Sequence, residues 1–160
     1  MAFSKSNRAV KVATNANVEL SADDQGATEF LMFGCRAWED NLVTPDMRPN
    51  CYSLVEKNRP DYHVRHAGYF LYSHDQQNTP IFNLDSSFIL HRDKFFTGYF
   101  ALESVNFRDY YIQSQSDGRL KIVQRVNTAD YNNMASFRFS NSEGNCLRFF
   151  VFVSFSYTTC

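Results

Sequence analysis

Three stretches of this chain begin alike and three end alike, at nearly constant spacing. Phe3-Ser-Lys-Ser-Asn7, Leu54-Val-Glu-Lys-Asn58 and Leu102-Glu-Ser-Val-Asn106 each open a unit. Ala27-Thr-Glu-Phe30, Asp85-Ser-Ser-Phe88 and Met134-Ala-Ser-Phe137 each close one. The asparagines at 7, 58 and 106 are 51 and 48 residues apart. A recurrence of that length marks a supersecondary unit that cannot bury its apolar face alone. Three copies packed about an axis would share one core.

Within each unit the pattern is that of short strands and tight turns. Val10-Lys-Val12, Tyr62-His-Val64 and Tyr110-Tyr-Ile112 read as second strands. Turns follow at Asn15-Ala-Asn17, Ala67-Gly68 and Asp117-Gly118, with residue types that supply the positive φ a hairpin needs. Third strands come next, at Val18-Glu-Leu20, Phe70-Leu-Tyr72 and Leu120-Lys-Ile122. A polar excursion then leads to a closing strand, where alternation is clearest in Phe137-Arg-Phe139. Helical periodicity is confined to Arg36–Leu42. Three units of four strands, at about 3–33, 54–90 and 102–139, predict an all-β chain of β-trefoil type with an extra C-terminal strand.

A chain of 160 residues fits one domain, 1–160, with a substantial core. Its 16 Phe and 9 Tyr suit strands and packed cores. A net charge of −1 without a basic run gives no support to a nucleic-acid partner. No apolar run is long enough to span a membrane, and the first residues have no apolar signal-peptide core. Cys35, Cys51, Cys146 and Cys160 lack zinc-type spacing and are compatible with two disulfides or four free thiols. Residues 35–50 form a long inter-repeat loop, read as a covering flap anchored by Trp38 and Leu42. The tail, 146–160, alternates strongly and reads as a strand. It either replaces the weak strand near Phe3 or adds an edge, and intramolecular closure is expected, because an apolar edge left open invites aggregation.

Units two and three carry a resemblance. Tyr62-His-Val-Arg-His-Ala-Gly-Tyr-Phe-Leu-Tyr72 precedes a polar loop and Phe82-Asn-Leu-Asp-Ser-Ser-Phe88. Leu102-Glu-Ser-Val-Asn-Phe-Arg-Asp-Tyr-Tyr-Ile-Gln113 precedes Gly118-Arg-Leu120 and Ala135-Ser-Phe137. These resemble the arabinose-binding domain of α-L-arabinofuranosidase B, a carbohydrate-binding module, over about residues 52–139. The resemblance implies a β-trefoil with up to one sugar pocket per unit, a glycan partner, no catalysis and an extracellular setting. It places Arg65, His66, Tyr69 and Asp85 on the family's site positions. In unit three, Gln113, Ser114 and Met134 stand at the corresponding places, and in unit one Ala13, Thr14 and Ala27 do. One principal site, in the second unit, is therefore expected.

Each candidate also has a plainer reading. Asp85 could brace a strand start through its backbone. His66 could solvate a hairpin end, and Tyr69 could pack. Asn7, Asn58 and Asn106 are read as satisfying backbone groups at a turn in each unit, and Phe30, Phe88 and Phe137 as core. His63 and His66 face opposite sides of a strand, which disfavours a shared metal. No catalytic motif or cofactor motif is present. The expectation is a non-catalytic module for furanose-bearing glycans, within a larger parent chain or with a protein partner. The alternative is a structural or protein-interaction trefoil that has lost sugar binding and assembles through its apolar tail or loop.

Overall fold

The computed structural model describes residues 7–21, 27–142 and 146–152. Strands run β1 (Asn7–Val12), β2 (Val18–Leu20), β3 (Phe30–Gly34), β4 (Cys51–Glu56), β5 (Arg59–Ala67) and β6 (Phe70–Asp75). They continue as β7 (Phe88–Arg92), β8 (Phe100–Ser104), β9 (Tyr110–Ser114), β10 (Leu120–Gln124), β11 (Phe137–Ser142) and β12 (Cys146–Phe152). Three one- to two-turn helices interrupt them: α1 (Arg36–Glu39), α2 (Pro80–Asp85) and α3 (Ala129–Met134). The chain is all-β, with a β-trefoil-like fold.

Three hairpins pair antiparallel: β1 with β2, β5 with β6, and β9 with β10. Three other strands each have three partners. β4 pairs with β3, β5 and β7, and β8 pairs with β7, β9 and β11. β12 pairs with β11, β1 and β3. Toward the first hairpin, β12 thus stands where β4 and β8 stand toward theirs. Its backbone is paired within the chain, as intramolecular closure requires. The opening strand expected at Phe3 lies mostly outside the described residues, as does the tail beyond Phe152.

The apolar positions of these strands meet in one central cluster. Phe30, Phe88 and Phe137 lie in it together, with Leu54, Leu102, Val64 and Ile112. Burying large aromatic and aliphatic side chains is the dominant favourable term in such a fold.

Two of the expected polar excursions are not irregular. Thr79 accepts a hydrogen bond from the Phe82 backbone N–H, and Pro80 occupies the first helical turn, so α2 forms and carries the chain to Asp85. Thr128 caps α3 in the same way through Tyr131.

The loop at 35–50 is closed by a Cys35–Cys51 disulfide. Ala37, Val43, Cys35 and Cys51 form a second apolar cluster with Ile89 and Val105, against which Trp38 packs. The guanidinium of Arg48 lies 4.2 Å over the Trp38 ring. Leu42 is 40% exposed and is not an anchor; Val43 takes that role, because the backbone turns at Asn41, whose φ is 56°. The loop grips α2. Arg36 Nε donates to Asn83 Oδ1 at 2.8 Å, and Asn83 Nδ2 donates to Asp40 Oδ2 at 2.6 Å. The Ala37 N–H donates to Ser87 Oγ at 3.0 Å.

Candidate functional site

Arg65 and His66 lie near the end of β5, Tyr69 lies in the turn that follows, and Asp85 ends α2. The β5–β6 hairpin closes at the Ala67–Phe70 pair, so Gly68 and Tyr69 are its two central residues. Both have positive φ, 54° and 69°, as a two-residue turn matched to strand twist requires. Tyr69 O accepts from the Ile122 N–H at 2.8 Å, which ties the turn to β10.

The fold brings three of the four sequence candidates into direct contact. Arg65 Nη2 donates to Asp85 Oδ2 at 3.0 Å. His66 Nε2 lies 3.6 Å from Asp85 Oδ1. Tyr69 does not touch these groups directly. Its ring meets Phe107 at 5.6 Å, and Phe107 in turn meets the His66 ring at 5.4 Å.

Asn106 links the polar members. Its Nδ2 donates to Asp85 Oδ1 at 2.8 Å, and its Oδ1 lies 2.9 Å from His66 Nε2. With the amide nitrogen turned to the carboxylate, Oδ1 must accept, so the neutral His66 carries its proton on Nε2. Ser104 Oγ also donates to Asn106 Oδ1, at 2.9 Å.

His66 and Asp85 are 3% and 6% exposed. Burial holds the His66 imidazole below its usual range. The Asn106 contact and the Asp85 charge pull it back up, and Arg65 pushes it further down. Each Asp85 oxygen accepts one protein donor and keeps capacity for another. A carboxylate beside a guanidinium, with an exposed tyrosine one ring away across Phe107, suits a small polyhydroxylated ligand.

Among the described residues, the other units lack this combination. In the third, Gln115 Nε2 donates to Gln113 Oε1 at 3.1 Å and Ser114 Oγ donates to Met134 O at 3.4 Å, so these side chains bond locally. In the first, Thr28 Oγ1 accepts from the Val12 N–H at 2.9 Å. Among the described residues, no group of His, Cys, Asp and Glu is arranged to hold a metal.

Comparison with known proteins decides the family. The Alpha-L-arabinofuranosidase B (ABFB) domain matches residues 41–139. The chain belongs to the ABFB domain family. Its fold is similar to that of a GH54 α-L-arabinofuranosidase soaked with a cyclic sulfate inhibitor, with a TM-score of 0.61 and 16% identity. It is similar as well to an arabinofuranosidase complexed with arabinofuranosyl-alpha-1,2-xylobiose, with a TM-score of 0.62 and 17% identity. In both cases 86% of this chain is covered, and the chain spans only 31% of the enzyme's length. The cytokine interleukin-36alpha shares the fold at a TM-score of 0.53 and 18% identity, covering 81% of this chain and 83% of its own. A search of curated proteins returns no match.

Within this ABFB domain, Asn106 is the residue that sequence reasoning placed elsewhere. Its recurrence with Asn7 and Asn58 pointed to a repeated turn role. In the structure Asn58 is exposed, whereas the Asn106 side chain bonds His66 and Asp85. The available signal was its position: Asn106 opens the unit after the one carrying His66 and Asp85, so a site at a unit boundary draws on both. Phe107 was missed for the same reason.

Proposed function

We propose that this ABFB domain is a non-catalytic carbohydrate-binding module with one principal site, in the second unit. Asp85 accepts hydrogen bonds from sugar hydroxyls and Arg65 donates to them. His66 and Asn106 hold the carboxylate in place, and Tyr69 covers the apolar face of the ring. The ligand class is a terminal furanose, on the strength of the family.

The observation that carries this reading is the meeting of Arg65, His66 and Asp85 at 3.0 to 3.6 Å, with Tyr69, 47% exposed, one ring away across Phe107. Each Asp85 oxygen accepts one protein donor and has lone-pair capacity for a second, which is what a ligand hydroxyl would use. The family's association with an arabinofuranosidase supports a sugar-binding role, and the parent of such a domain would be an enzyme whose other parts do the chemistry.

The test is an NMR titration of the uniformly 15N-labelled chain with methyl α-L-arabinofuranoside. Shifts should concentrate at residues 65–69, 85 and 104–107, and should vanish in Asp85→Ala. Absence of any shift with pentose or hexose glycosides, in a folded protein, would remove the proposal.

A further inference from the structure

The three hairpins meet at one end of the fold, each turn resting on the next hairpin. Ala16 O accepts from the Ser73 N–H at 2.9 Å, Tyr69 O from the Ile122 N–H at 2.8 Å, and Gly118 O from the Leu20 N–H at 2.7 Å. The residues that follow those turn positions are Asn17, Phe70 and Arg119. They come together although 102 residues separate the first from the last.

Two cations converge on the Phe70 ring. Arg119 Cζ lies 3.9 Å from its centroid and Lys121 Nζ lies 5.8 Å from it. Both side chains belong to half-buried residues of one hairpin, and among the described residues neither is paired with a carboxylate. The nearby acids are engaged elsewhere. Glu19, across from Arg119, pairs with Lys11 at 3.2 Å. Asp117 Oδ1 accepts from the Arg119 backbone N–H at 2.9 Å. Attraction to the ring face offsets part of the repulsion between the two cations, and a bound anion would offset the rest.

The free hydrogen-bonding groups at this end are donors. Arg119 Nη2 donates to Tyr72 Oη at 3.1 Å and to Asn17 Oδ1 at 3.5 Å, which engages the oxygens of both side chains. The Tyr72 hydroxyl proton, Asn17 Nδ2, Arg119 Nη1 and the Lys121 ammonium are left to donate. Arg119 Nε is buried without a partner. Donors gathered without acceptors match a group that only accepts, and guanidinium and ammonium groups together favour a carboxylate.

We propose that this end of the fold is a separate ligand site, which takes the carboxylate of an acidic sugar, a uronate. The carboxylate lies against Arg119 and Lys121, and the Tyr72 hydroxyl and Asn17 amide donate to the sugar oxygens beside it. The sugar as carrier of the carboxylate rests on the proposed carbohydrate-binding role of the chain; the anion site does not depend on the furanose site.

The experiment titrates the 15N-labelled chain with methyl β-D-glucuronide, methyl β-D-glucoside and sodium acetate. The glucuronide should shift the amides of residues 17, 70, 72, 119 and 121, and added sodium chloride should weaken it. Arg119→Gln and Lys121→Gln, each checked for a native spectrum, should lower its affinity about tenfold, the worth of one charge-assisted hydrogen bond. Asp85→Ala removes the proposed furanose contact and should leave glucuronide binding unchanged, so the two proposals fail separately. Binding of the neutral glucoside as tight as that of the glucuronide would overturn the carboxylate. Equal affinity for acetate would show an anion site without a sugar and overturn the uronate. A glucuronide that shifts none of these residues, or that binds both glutamine variants as well as the unmodified chain, would overturn the site itself.

Discussion

Asn106 donates a 2.8 Å hydrogen bond to the Asp85 carboxylate across 21 residues of sequence. The same side chain accepts from His66. One amide therefore satisfies two buried ionisable groups that local sequence cannot bring together. The fold can supply it because β8 lies beside β7 in register, with Ser104 opposite Phe88.

Asn106→Ala should leave Asp85 Oδ1 without its hydrogen-bond donor, and His66 Nε2 with Ser104 Oγ, 3.1 Å away, as its remaining neighbour. The expected loss is about 2 kcal/mol of stability, the cost of unsatisfied buried polar groups. Ligand affinity should fall with it. Urea denaturation and sugar titration on the same variant measure the two effects. A variant with unchanged stability would show that water replaces the amide without cost.

The Cys35–Cys51 disulfide closes a loop whose residues bond Asn83 within α2 and Ser87 just after it, on either side of Asp85, where α2 ends. A crosslink with a sequence separation of 16 should contribute about 3 kcal/mol by restricting the unfolded chain. Reduction, or the Cys35→Ser and Cys51→Ser pair, should lower the denaturation midpoint accordingly. Sugar affinity should weaken as well, through loss of order at Asp85. Equal affinity in oxidised and reduced protein would show that α2 is held without the loop.

Much of the fold was legible because the signals were local. Asn-Ala-Asn, Ala-Gly and Asp-Gly turns between short apolar runs placed all three hairpins. Phe30, Phe88 and Phe137 revealed the core through recurrence. The helices α2 and α3 were not legible by periodicity, since six residues make less than two turns; their signal lay in Thr79-Pro80 and in Thr128. At the site, Arg65, His66 and Asp85 stood on one unit and could be found together. Asn106 and Phe107 belong to the next unit, and only the pairing of β7 with β8 brings them in. Leu42 failed as an anchor because apolar character alone does not say which way a turn points a side chain.

The pH dependence should have two separate origins. His66 has its folded pKa lowered by burial, so in the unfolded chain it binds a proton at higher pH than in the native one. Stability should decline as pH falls through the unfolded value of about 6.5 toward the depressed folded value. Glu103 behaves differently. Burial alone would raise it, but hydrogen bonds from His91, Arg108 and the Asp109 backbone hold it at about 2. Its contribution is full above the unfolded carboxylate range and is lost as pH falls through the folded value, about 3 kcal/mol in all. Denaturation midpoints from pH 8 to 2 should show both declines. His66→Gln should reduce the first, to which the burial of His63 and His74 also contributes, and Glu103→Gln should remove the second.

Tyr69 sets stability against binding. At a φ of 69° its backbone bears a strain of roughly 1 kcal/mol that glycine or asparagine would not. Its ring offsets part of that by stacking on Tyr110 and meeting Phe107. Half of the ring faces solvent, so the packing gain is limited. Tyr69→Asn should therefore keep or raise the melting temperature while lowering sugar affinity, since it relieves the turn and removes the exposed ring proposed to contact the sugar. Tyr69→Phe should change neither by much if the ring face, rather than the hydroxyl, makes the contact. A Tyr69→Asn variant that melts lower and binds sugar unchanged would assign the tyrosine to packing alone.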